Sequence, residues 1–67
     1  MESIMEFKDK LVLVRARLNL SQEGLAKELN VSFATINRWE KGHTIPQQRY
    51  VVALDELCKK SNLKIDG

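Results

Sequence analysis

Apolar residues stand at Phe7, Leu11, Val14 and Leu18, at spacings of 4, 3 and 4, and Ile4 extends the row backwards. With about 3.6 residues per helical turn, this spacing lays one apolar stripe along a helix. Taken alone, Leu11-Val12-Leu13-Val14 would suit a strand. The stripe on both sides of it predicts a helix over residues 4–18 instead, with Asn19-Leu20 as the connection. Ser21 then stands where an N-cap belongs, and the charge of Glu23 suits the positive end of a helix dipole. A second helix over residues 22–29 turns Leu25, Ala26 and Leu29 inward, and Asn30, tolerant of left-handed backbone, ends it. Val31 follows at the corner. Ser32 is a second N-cap, ahead of a helix over residues 33–41 that buries Ile36 and Trp39 and stops at Gly42. After the loop His43-Thr44-Ile45-Pro46, a last helix is expected over residues 47–60, with Pro46 in its first turn and Tyr50, Ala53, Leu54, Leu57 and Cys58 on its inner face. The tail NLKIDG has no strong period and admits at most the stub of a fifth helix. No stretch calls for a sheet. The fold class is therefore all-α: a compact bundle of four or five short helices forming one domain over residues 1–67.

The two middle helices are each about two turns long and are joined by about three or four residues, the length class of a helix-turn-helix. Two helices that cross steeply need a small residue where they touch, and Ala26 lies one turn before the corner. Asn30 lets the backbone reverse, and Val31 and Ile36 seal the angle.

Composition narrows the function. The chain is 43% hydrophobic and 30% charged, which is ordinary for a globular domain and too apolar for a disordered one. Its 67 residues bury only a small core and leave little room to wall off a deep substrate pocket. The run Leu11 to Val14 is far too short to span a membrane, and MESIMEFKDK lacks the apolar stretch of a signal peptide. A single cysteine, Cys58, excludes an internal disulfide and fits a reducing, cytoplasmic setting. Net charge is +2, but its distribution says more: residues 15–49 hold Arg15, Arg17, Lys27, Arg38, Lys41 and Arg49 against Glu23, Glu28 and Glu40. A local basic excess around the paired helices suggests a polyanionic partner. Catalysis finds no constellation. His43 stands alone in a loop, Cys58 sits on an inner helix face, and there is neither a metal-ligand cluster nor a phosphate-cradling glycine loop. No enzyme activity, metal or cofactor is expected.

From Leu20 to Pro46 the chain reads L-S-Q-E-x-L-A-x-x-L-x-V-S-x-x-T-I-x-R-W-E-x-G-x-x-x-P. The string resembles the phage-repressor and Cro-like helix-turn-helix family of bacterial and phage DNA-binding proteins, and the likeness is close from Arg15 to Pro46. The resemblance implies a lambda-repressor-like bundle whose helix after Ser32 enters the DNA major groove. It implies base contacts from Phe33, Ala34, Asn37 and Arg38. Arginine bonds bidentately to guanine and asparagine to adenine, whereas Phe33 and Ala34 offer only apolar contact, best matched by a thymine methyl. Phe33 departs from the polar residue common at that family position, which leaves two readings open: an apolar base contact, or a ring folded back onto the domain. The resemblance further implies backbone contacts from Gln22, Lys41, His43 and Thr44, with Gln22 also bracing the recognition helix. Thr35 is read as a phosphate contact or a local backbone bond, and Gln48 as a phosphate contact at the free N–H groups of a helix start. It makes Arg15 and Glu40 a structural ion pair that locks the first helix to the recognition helix. The function implied is that of a transcriptional regulator, expected to repress, bound as a homodimer to double-stranded DNA. Leu13 and Val52 point away from the apolar stripes, and Leu63 and Ile65 in the tail are further candidates for the dimer surface. The rival reading is a protein-interaction module, or an antitoxin that binds a protein partner as well as DNA.

Overall fold

The computed structural model describes residues 6–63. Its order is α1, Phe7–Leu18; α2, Gln22–Leu29; α3, Phe33–Glu40; and α4, Gln48–Lys60. The described residues form no strand, so the fold is all-α. α1 starts at Phe7 rather than at residue 4, because Glu6 is its N-cap with extended backbone. Ile4 itself, Ile65 and most of the tail in which a fifth helix was admitted lie outside the described residues.

One device ends every helix. Asn19, Asn30, Gly42 and Asn62 take positive φ, between 57° and 78°. The next residue then donates its N–H five residues back: Leu20 to Arg15, Val31 to Ala26, His43 to Arg38 and Leu63 to Cys58, at 2.8–3.3 Å. These bonds satisfy carbonyls that the last turn would otherwise leave open. After each asparagine stop the following apolar residue, Leu20, Val31 or Leu63, folds back against the core. Only α3 breaks the pattern. It stops on glycine, and the residue that follows, His43, is exposed.

The starts are equally local. Ser21 Oγ accepts from the Gly24 amide at 3.0 Å, and Ser32 Oγ from the Thr35 amide at 3.1 Å. α4 begins one residue later than expected, because Gln47 is its N-cap. Pro46 therefore sits just before the cap rather than in the first turn, where its fixed φ directs the chain into the helix.

The core is Leu11 and Val14 from α1, Leu25, Ala26 and Leu29 from α2, Ile36 and Trp39 from α3, and Leu54, Leu57 and Cys58 from α4. Ala26, 4% exposed, is the small residue of this core, and its carbonyl accepts from the Val31 amide at the corner between α2 and α3 at 2.9 Å. Trp39 is held between two rings: Phe7 packs edge-on at 5.4 Å and Tyr50 at 5.1 Å, measured between centroids. This run of three rings ties the start of α1 and the start of α4 to the end of α3. On α1 the expectation for Leu13 is corrected. Leu13 is half-buried and Val12, 47% exposed, is the residue turned outward. Both flank the buried stripe, and the rotation of α1 against its neighbours decides between them. Val52, 44% exposed, does face outward.

Candidate nucleic-acid interface

α3 is held from behind by a chain of polar bonds that begins on α1. Arg15 Nε donates to Glu40 Oε2 at 2.8 Å, and Arg15 Nη2 to Glu40 Oε1 at 3.2 Å. This side-on, two-point geometry is the strong form of an arginine–carboxylate pair. Gln22 Nε2 donates to the same Glu40 Oε1 at 2.8 Å. Glu40 as a carboxylate can only accept, so Gln22 must offer it the amide nitrogen and turn its carbonyl the other way. That carbonyl accepts from Asn37 Nδ2 at 3.4 Å, the longest link in the chain. Glu40 is thus anchored by α1 and α2 at once, and Asn37 is oriented by its contact with Gln22. Asn37 keeps Oδ1 and one N–H free, and an amide with one acceptor and one donor free complements the N6–H and N7 of adenine.

Outside this brace, Phe33, Ala34, Asn37, Arg38, Lys41 and His43 line one open recess of about 320 Å³. The four residues expected at base edges and two of those expected at the backbone therefore share one surface. Phe33 does not fold back onto the domain; it is 50% exposed and stands apart from the core cluster. Thr35 is half-buried, and its hydroxyl lies 2.9 Å from Ser32 Oγ. Thr44 is exposed but lines a different recess, with Phe7, Trp39, Ile45 and Pro46. Gln48 is exposed at the first position of α4, away from both recesses.

Charge supports the same face. Among the described residues, the ion pairs engage Lys8, Lys10, Arg15 and Lys60, whereas Arg38 and Lys41 pair with no carboxylate. The first turn of α3 carries no acid, and neither does that of α4. Their free N–H groups therefore face no competing carboxylate within the turn. Arg49 belongs to the basic excess of residues 15–49. It sits in the first turn of α4, where a cation opposes the helix dipole, and its guanidinium lies 4.8 Å from the centre of the Tyr50 ring.

Among the described residues no group of three or more His, Cys, Asp or Glu side chains could hold a metal ion. Nor is any described helix long and apolar enough to cross a membrane. Burial pushes the Cys58 thiol above its ordinary value, with Lys10 opposing and Asp55 reinforcing the shift. Cys58 is 6% exposed and packs within the core cluster.

A helix-turn-helix family model matches residues 12–61. The chain is also similar to the HTH-type transcriptional activator BcrR of Enterococcus faecalis, at 37% identity over 67 residues covering 88% of this chain and 33% of that protein. It thus spans about a third of the length of that curated relative. No solved structure matches it.

Proposed function

This chain belongs to the helix-turn-helix family, and from that premise we propose that it binds double-stranded DNA sequence-specifically and regulates transcription, with α3 in the major groove. The observation that carries the reading is the recess beside α3. It joins two side chains able to read base edges, Asn37 and Arg38, to the cation Lys41, on a helix braced by Glu40 and Gln22. Arg38 reads guanine and Asn37 reads adenine, while Phe33 and Ala34 make apolar contact with the base edges. Lys41, His43, Thr44, Gln48 and the free proton of Gln22 Nε2 contact the phosphate backbone, together with Thr35. These contacts fix register and orientation on the duplex.

One recognition helix reads only a few base pairs, which is too little information for a unique genomic site. We therefore propose a homodimer on DNA, with half-sites about 34 Å apart. Val12 and Val52 are the exposed apolar residues of the outer helices available to such a contact. The name of the similar protein is that of an activator, so the expectation of repression draws no support from it. The proposal is regulation, with its sign set by where the site lies relative to the promoter.

A salt titration of binding to random-sequence duplex tests the reading. Affinity should fall with a log–log slope of about −0.9 per phosphate neutralised, and a selection from random duplex should enrich one motif. The rival, a protein-binding module, draws on the exposure of Phe33. It predicts no duplex binding at low salt, and that result would overturn the DNA reading.

A further inference from the structure

The leading turn of α3 carries something unusual for a surface meant to meet bases. Phe33, its first residue, is 50% exposed, whereas Phe7, Trp39 and Tyr50 are packed together in one aromatic run. Ala34 beside it is also exposed, and both face the recess shared with Asn37, Arg38, Lys41 and His43. Helical side chains lean toward the N-terminus, so Phe33 projects ahead of the helix rather than back into the bundle. Neither residue has a side-chain donor or acceptor.

We propose that Phe33 makes this interface a reader of the pyrimidine 5-methyl group, accepting thymine and 5-methylcytosine through the same contact. The inference rests on the proposed entry of α3 into the major groove. In that groove the base edges present donors and acceptors everywhere except at pyrimidine C5, which carries a methyl in thymine and a hydrogen in cytosine. A purine N7 or O6 set against the Phe33 ring would lose its water with no partner in return. A methyl group in the same place loses only unfavourable hydration. The shared chemistry is therefore an apolar group at C5, from whichever base supplies it. Lys41, on the rim of the same recess, keeps a flanking phosphate close and so helps hold the contact shut against water. The consequence is regulatory: methylation of a cytosine facing Phe33 strengthens binding.

The test uses the full chain and the duplex recovered by selection. Each thymine is replaced singly by uracil, which removes only the methyl, and each cytosine singly by 5-methylcytosine, which adds only one. Binding is followed by fluorescence anisotropy for the native chain and for Phe33→Ala, with circular dichroism as the check that the variant folds. The expected result is one position per half-site where the methyl changes affinity about fourfold, the effect of one methyl group taken out of water. That dependence should disappear in Phe33→Ala. A uracil effect identifies thymine as the source in the natural site, and a 5-methylcytosine effect identifies methylated cytosine. If specific binding persists while every exchange is neutral for the native chain, or equally strong in Phe33→Ala, the methyl reading is overturned and the DNA reading stands. If no duplex is bound at all, both fall together.

Discussion

Glu40→Ala removes the carboxylate through which Arg15 of α1 and Gln22 of α2 are bonded to α3. The carboxylate accepts three hydrogen bonds, two from Arg15 and one from Gln22, at 2.8–3.2 Å. Its side chain is only 10% exposed and that of Arg15 26%. Breaking a fully buried pair costs about 3–5 kcal/mol, because the surviving charge is left without compensation. Arg15 keeps some access to water and a longer bond of 3.4 Å to the Leu20 carbonyl, so part of that penalty is screened. About 2–3 kcal/mol remains. For a domain of this size about 1 kcal/mol moves the midpoint by about 4–8 °C, so Tm should fall by about 10–20 °C. Total stability is itself only a few kcal/mol in so short a chain, so a measurable fraction should be unfolded at 37 °C, on the order of one per cent or more. Thermal unfolding by circular dichroism reads the loss. Replacing both partners, Arg15→Met with Glu40→Leu, should recover most of it, because no charge is then stranded. A Tm for Glu40→Ala within a degree or two of the native chain would refute the reasoning and reduce the pair to surface decoration.

Three further outcomes are expected. Arg38→Ala should weaken specific DNA binding by about 1–3 kcal/mol and relax preference at one base position, whereas Lys41→Ala should weaken binding to all duplexes and lower the salt slope by about one. Competition assays on specific and scrambled duplexes separate the two, and equal losses for Arg38→Ala would remove it from the base readers. Gly42→Ala should cost about 1 kcal/mol in urea unfolding, because φ there is +78° and the new Cβ would lie 3.1 Å from Lys8 Cδ. Burial raises the Cys58 thiol above its ordinary value of 9.0, so the unfolded chain ionises first and stability, intact below that range, should decline as pH rises through it. Cys58→Ala should flatten the alkaline slope of Tm, and an unchanged slope would place its origin elsewhere.

The sequence by itself determined the helices, their stops and the family. Caps and stops depend on neighbours within five residues. Ser21, Ser32, Asn30 and Gly42 could therefore be placed from the chain alone, and the left-handed turns at Asn19 and Asn62 follow the same rule. The inward faces followed from period: Leu11, Val14, Ile36 and Leu54 are fully buried as their spacing required. The residues of the recess share one short helix and the turn after it, so their proximity was local as well. Tertiary structure decided what depends on how the helices are rotated and crossed. Whether Val12 or Leu13 faces outward is a matter of a rotation that no local signal encodes. Arg15 and Glu40 are 25 positions apart in the chain, and only the family resemblance paired them before the fold did. The link from Gln22 to Asn37, the ion pair of Lys10 with Asp55 and the placing of Trp39 between Phe7 and Tyr50 all join separate helices. Phe33 is the sharpest case. Its identity left open a residue folded onto the domain or one offered to a partner, and the direction of a side chain at the first turn of α3 became definite only once the helix behind it was held in place.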